Sequence, residues 1–353
     1  MIYGEHMKRA ALLIALVSGM CLASCSKSAS SSDSVMQLNG AGSTFVYPIM
    51  SKWIGEYSSA RTGVRINYQP IGSGRGIGVV SGGTVDFGAT DGPMTDGQLA
   101  DSNVGPIEHI PLVMGADVPG YNIPGLSAEL KFTPSILADI FLGKITAWND
   151  PKITKVNPGI SLPNTTIFVV HRSDGSGTTY IWTDYLSKVS PEWKQKVGTA
   201  LSVNWPTGQG AAGNEGVATM IRQNPGAIGY IELTYAERNN LAFGRVQNSS
   251  GNFVKASMDS VTAAATSATI PDDFRYSITN ASGEGAYPIA GTTWMLIPVH
   301  PRDPNRGKML VDFAEWILTT GQDAAPTLHY ARLPDELAAR AKNALNRLRA
   351  SSN

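Results

Sequence analysis

Two of the 353 residues are cysteines, and both, Cys21 and Cys25, fall within the first 25 positions. The rest of the chain therefore offers no disulfide, and its stability must come from a packed core. Histidine is also scarce. His6, His109, His171, His300 and His329 are scattered, with no H-E-x-x-H and no metal-ligand spacing. G-x-S-x-G is missing, which excludes a nucleophile elbow. Neither sign of charge is in excess, since 28 Lys+Arg balance 28 Asp+Glu. Such a chain presents no general attraction to a nucleic-acid polyanion, so no nucleic-acid partner is expected and any preference for anions must come from local geometry.

The apolar run "AALLIALVSGM" is shorter than the roughly 20 residues that span a bilayer. It follows Lys8 and Arg9, with Met7 as the expected initiator, and has the length of a signal h-region. "LASC", Leu22 to Cys25, resembles a bacterial lipobox. That resemblance implies a signal peptide over residues 1–24 and a lipidated Cys25, placing the protein at the periplasm or cell-envelope face on a lipid anchor. The plainer reading is an ordinary secretory signal with an incidental cysteine. Cleavage there removes Lys8, Arg9 and Glu5 and leaves 26 basic and 27 acidic residues. "SKSASSSDS", Ser26 to Ser34, is polar and Ser-rich and reads as a flexible tether, so residues 25–34 hold the domain off the membrane.

Beyond the tether the composition is globular: 42% hydrophobic against 16% charged residues. "MQLNGAG", "RINYQPIG", "VDFGATD", "IEHIPLVMG", "TIFVVHR", "AIGYIEL" and "TTWMLIPV" read as strands. Helical patterns fall between them, over roughly Thr44–Ala60, Pro134–Leu142, Ser176–Lys188, Asn214–Gln223, Asp303–Thr320 and Pro334–Arg349. This alternation predicts an α/β architecture with largely parallel sheets. The last helix has Pro334 and two carboxylates at its start and arginines at its end, which suits the macrodipole and a packing role. Two Gly/Pro-rich stretches, Met114–Gly125 and Ser282–Trp294, read as domain crossings. If both cross, residues 35–116 plus 292–353 form domain I and residues 117–291 an inserted domain II. Otherwise they are unrelated surface loops.

Four distant stretches carry the same chemistry. "GAGSTFVYPIM" ends a strand in small residues and puts Ser43 and Thr44 before a helix, where free amides attract anions. A plain N-cap is the simpler account. "IGSGRGIG" fits neither the dinucleotide fingerprint nor a P-loop. It reads as an anion nest or as a flexible turn. "VDFGATD" ends in Asp91, a carboxylate at the crevice end of a strand, which repels an anion unless the anion carries a proton. Asp86 in the same stretch is suited to capping or local pairing. "HRSDGSGTTY" is the most specific of the four. Arg172 offers a planar donor fork, Asp174 is placed to clamp it, and Ser176, Gly177 and Thr178 supply hydroxyls and amides at a helix start. His171 is expected to face away from Arg172 by strand alternation.

These stretches, together with "GNEGVATMIRQNPGAIGYIELTYA" and "AYPIAGTTWMLIP", resemble the phosphate-binding protein of the phosphate-specific ABC importer, in order from about residue 36 to 320. The resemblance implies a type II periplasmic-binding-protein fold, in which two α/β domains joined by two hinge crossovers close on one phosphate ion. It implies that phosphate is held by Thr44, Phe45 (through its amide), Ser73, Asp91, Arg172, Ser176, Gly177 and Thr178, with Asp174 behind the arginine. It implies no cofactor and no metal, no enzymatic activity, a monomer, and an ABC permease in the inner membrane as partner. Arg75 stands where similar proteins commonly have a small residue and is expected to point to solvent, and the tail after about residue 325 matches less clearly. Two other classes compete: a phosphatase or phosphoryl-transfer enzyme, which would need a nucleophile or metal ligands beside the arginine, and a binder of sulfate or molybdate, which Asp91 opposes.

Overall fold

The computed structural model describes residues 35–351; Cys25, the signal segment and the tether lie outside them. The strands in chain order are β1 (Met36–Gly42), β2 (Val64–Gln69), β3 (Phe87–Thr90), β4 (Ile107–Tyr121), β5 (Lys131–Phe132), β6 (Phe168–Arg172), β7 (Gln209–Ala211), β8 (Ala227–Glu232), β9 (Ala242–Phe243), β10 (Arg245–Gln247), β11 (Phe253–Val254) and β12 (Ala290–Pro298). The helices are α1 (Tyr47–Ser59), α2 (Ser73–Ser81), α3 (Asp96–Ala100), α4 (Pro134–Phe141), α5 (Pro151–Val156), α6 (Gly177–Val189), α7 (Pro191–Lys196), α8 (Gly213–Gln223), α9 (Leu233–Arg238), α10 (Met258–Thr266), α11 (Pro304–Ile317) and α12 (Asp335–Ser351).

One sheet runs β2-β1-β3-β12-β4-β8-β6-β7. Its two flanks are parallel, β1 with β2 and β3, and β6 with β7 and β8. Its middle is antiparallel, β3–β12–β4–β8, so the sheet is mixed rather than largely parallel. The sequence alternation missed this because β4 and β12 are apolar along nearly their whole length. A strand buried on both faces loses the period-two pattern and gives no sign of its direction. β4 is shared between two sets of partners. Residues through Ala116 pair with β12, and from Asp117 onward they pair with β8. Both stretches read as crossings touch this centre, one within β4 and the other leading into β12.

Pro111 cannot donate to the ladder, and the register of β12 against β4 shifts between Thr293 and Trp294 at that point. Bulges of this kind re-aim side chains. Glycine decides where α2 sits. A Cβ on Gly76 would lie 2.5 Å from the Gly42 Cα and 3.0 Å from the Ala41 carbonyl, so only a bare backbone lets this helix rest on β1. The segment read as a nest or turn is therefore a nine-residue helix beginning at Ser73. The C-terminal helix buries Leu337, Ala341, Ala344, Leu345 and Leu348 on one face, the i, i+4, i+7 stripe of an amphipathic helix. The tail before it also joins the core: Ala331 bridges Met114, and the Tyr330 hydroxyl donates to the Phe45 carbonyl at 2.6 Å.

Candidate anion-binding site

Four segments meet just beyond β1, β2, β3 and β6, and they are the four stretches singled out in the sequence. Asp91, just beyond β3, is 2% exposed. Ser43 donates to its carboxylate at 2.6–2.7 Å, Thr293 at 2.6 Å and Ser73 at 3.4 Å. A carboxylate has about four acceptor positions, and three hydroxyls occupy three of them, so one remains for an incoming proton donor. Burial pushes the Asp91 carboxyl up to about 6 against the pull of Ser43, Thr293, Arg172 and Ser73. Above that pH it is a charged acceptor.

Arg172 closes β6 and is 3% exposed. Its Nε donates to Asp174 Oδ1 at 2.8 Å and its Nη2 to Oδ2 at 2.5 Å. Burial alone would raise the Asp174 carboxyl, but the Arg172 bonds and charge and the Gly213 amide hold it below the usual carboxylate range. Arg172 Nη1 donates to Thr178 Oγ1 at 3.2 Å. A guanidinium carries five N–H donors, so two remain for a ligand.

The hydroxyls of Thr44 and Thr178 are oriented by one side chain. Asn214, at the start of α8, donates from Nδ2 to Thr44 Oγ1 at 3.0 Å and to Thr178 Oγ1 at 3.1 Å. Its own Oδ1 accepts from the Glu232 amide at 3.1 Å. Each threonine oxygen accepts two N–H bonds, counting the Asn214 amide at Thr44 and Arg172 at Thr178. Each hydroxyl hydrogen is thereby left free to point elsewhere. The amides of Phe45, Ser73, Gly177 and Thr178 have no hydrogen-bond acceptor among the described residues. Three of them belong to the first turns of α2 and α6, where such orphan donors and the helix dipole favour negative charge.

The loops from the two sides touch: the Gly74 amide donates to the Gly175 carbonyl at 2.9 Å. Phe45 contributes only its amide, because its ring is fully buried against Tyr330. Ser176 Oγ caps α6 by accepting from the Thr179 amide at 3.1 Å. His171 stacks on Trp205 at 4.8 Å, away from the donor cluster. Arg75 is exposed and has no hydrogen-bond or ion-pair partner among the described residues. Asp86 is tied to the Asn39 amide at 2.7 Å and to Arg306 at 2.8 Å. Among the described residues no group of three His, Cys, Asp or Glu is placed to hold a metal ion.

Sequence reasoning named the donors and the acceptor but missed what supports them. Ser43 is not the N-cap of α1, which is Val46 with no side-chain bond; its hydroxyl accepts from the Val46 amide at 3.3 Å and donates to Asp91. Asn214 and Thr293 went unnamed. The one available signal for Asn214 was a lone amide residue just after a glycine and before a helix. Thr293 gave none, standing 202 residues from its partner.

The PBP superfamily domain model matches residues 27–320. The phosphate-binding protein PstS of Xylella fastidiosa (strain Temecula1) is 46% identical over 305 residues, covering 86% of this chain and 83% of that protein. The phosphate-binding protein PstS of Pasteurella multocida is 43% identical over 333 residues, covering 94% and 93%. Among solved structures, a high-affinity periplasmic phosphate-binding protein (PfluDING) bound with phosphate superposes with a TM-score of 0.73 at 20% identity, over 87% of this chain and 93% of that one. A phosphate-binding protein from Stenotrophomonas maltophilia gives 0.69 at 18% identity over 87% and 93%. These structural likenesses concern the fold.

Proposed function

The chain belongs to the PBP superfamily and, within it, to the PstS phosphate-binding proteins, and from that premise we propose that it captures one inorganic phosphate ion and hands it unchanged to an ABC permease. The observation that carries this reading is Asp91, a lone buried acceptor among converging N–H and O–H donors. A phosphate that still bears hydrogen donates into the one acceptor position left at Asp91. Its remaining oxygens take the hydroxyls of Thr44 and Thr178, the amides of Phe45, Ser73, Gly177 and Thr178, and the two free N–H groups of Arg172, while Ser176 shapes the loop. Sulfate carries no proton and sets lone pairs against the carboxylate, an uncompensated buried repulsion that costs several kcal/mol. Rejection of the wrong ion thus comes from an acceptor it cannot satisfy.

The same reading assigns domain I to residues 35–116 plus 292–353 and domain II to residues 117–291. The change of β4 partners between Ala116 and Asp117 supports that division. An ion gripped from both sides favours the closed form by its differential affinity, and the closed form is what a permease would recognise. Catalysis is no part of the reading, since the cluster supplies donors and no nucleophile. The protein acts as a monomer at the cell envelope, held by a lipid on Cys25.

Isothermal titration of the mature protein with phosphate, sulfate and arsenate is the test. Phosphate should bind, arsenate should compete because it too is protonated, and sulfate should not. Tight sulfate binding, or steady hydrolysis of a phosphomonoester, would overturn the reading.

A further inference from the structure

Asp117 takes no part in the donor cluster, yet no other side chain on β4 is so poorly accommodated. It is the residue at which β4 leaves β12 and begins to pair with β8, and its register partner is a second acid, Glu232. Its backbone is satisfied: the amide donates to Ile289 and the carbonyl accepts from Tyr287, both at 2.9 Å. Its carboxyl is 0% exposed, and neither oxygen has a hydrogen-bond partner among the described residues. One oxygen of Glu232, also 0% exposed, is likewise without a partner. The charged groups acting on Asp117 are Asp91, Glu232 and Arg172, and the nearby titratable phenols are Tyr230 and Tyr287. Four carboxyls, at Asp91, Asp117, Asp174 and Glu232, therefore share one buried guanidinium. A filled cleft adds the anion's charge to theirs. A region of low dielectric does not tolerate that many uncompensated charges, so a proton must be held somewhere beneath the ion.

We propose that Asp117 is a charge-setting residue of the anion site, a buried carboxylic acid that stays neutral while the ion is held and whose ionisation drives the ion out. This rests on the phosphate reading and adds a proton to it: capture of the ion holds a proton on Asp117. Burial, reinforced by Asp91 and Glu232 and opposed by Arg172, raises the Asp117 carboxyl well above the ordinary range. Burial also pushes the Glu232 carboxyl up to about 8, so the second acid needs its own control. Because these groups are raised, the neutral, binding-competent form prevails at low pH and is lost as pH rises. For Asp117 the loss comes as pH rises through its raised value.

The experiment titrates inorganic phosphate into the mature wild-type protein, Asp117→Asn and Glu232→Gln from pH 7.5 upward to the highest pH at which each stays folded. Wild-type affinity should fall at least about tenfold across that window, Asp117→Asn less than about threefold, and Glu232→Gln should keep most of the wild-type fall. A flat wild-type curve, an Asp117→Asn curve as steep as wild type, or full flattening by Glu232→Gln overturns the proposal. If Asp117→Asn does not fold, wild type titrated in two buffers of different ionisation heat, at the pH where its own affinity is falling, decides instead: net proton uptake with phosphate supports the proposal, and none overturns it. A protein that binds no phosphate at any pH defeats the phosphate reading itself, an outcome distinct from all of these.

Discussion

Replacing Asp91 with asparagine tests the selectivity argument directly, because it changes charge and donor direction while keeping shape. In the wild-type site three hydroxyls, from Ser43, Thr293 and Ser73, converge on the carboxylate. A hydroxyl both donates and accepts, so these three can turn to meet an amide, and the variant should fold. What changes is the face toward the ion. Phosphate loses a charge-assisted hydrogen bond of about 1.5–3 kcal/mol, which weakens it roughly 10- to 150-fold. The charge repulsion from the carboxylate is relieved for both dianions and cancels in their ratio. Sulfate in addition gains an amide N–H donor where it met only lone pairs, a charge-assisted bond of again about 1.5–3 kcal/mol. The ratio of phosphate to sulfate affinity should therefore collapse by about a hundredfold or more. Calorimetric titration with both ions, run at pH 7.5 so that Asp91 is ionised in the wild type, reads the ratio. If Asp91→Asn keeps the wild-type ratio within about threefold, the buried acceptor is not what discriminates.

Selectivity should also depend on pH in wild type. The Asp91 carboxyl is raised to about 6, so it is an acceptor above that value and becomes a donor as pH falls through it; sulfate competition should appear below about pH 6 and vanish above about 7. Asn214→Ala frees the Thr44 and Thr178 hydroxyls to rotate and should weaken phosphate by about 1–2 kcal/mol, roughly 5- to 30-fold, measured by titration. Gly177→Ala would place a Cβ 2.3 Å from Asp91 Oδ2 and 2.6 Å from its amide. It should abolish high-affinity binding while circular dichroism shows an unchanged fold, and retained affinity would mean the two loops need not meet.

The residues that gather in the donor cluster were legible because their chemistry is local. Arg172, Asp174, Ser176 and Gly177 sit within six residues, and a helix start beside a guanidinium has few other uses. Helix positions followed the same logic, with α4 and α6 each starting behind a threonine or serine that accepts from its N3 amide. What stayed hidden depends on long-range meetings. Asn214 bonds Thr44 across 170 positions, and Thr293 reaches Asp91 only where Pro111 disturbs the register. The antiparallel centre was hidden for another reason: uniform burial of β4 erased the alternation that would have shown it. Glycine misled as well. Composition argued against a helix at α2, and close packing on β1 overruled it.

β4 serves two masters with one uninterrupted backbone, giving its first half to β12 and its last residues to β8. Neither side of the molecule therefore owns a finished sheet. Cutting the chain at Asp117 would strip one piece of its central ribbon and leave the other with a raw, apolar edge prone to pair with anything nearby. Heating should accordingly melt both sides together in a single transition, and attempts to produce either alone should yield aggregates.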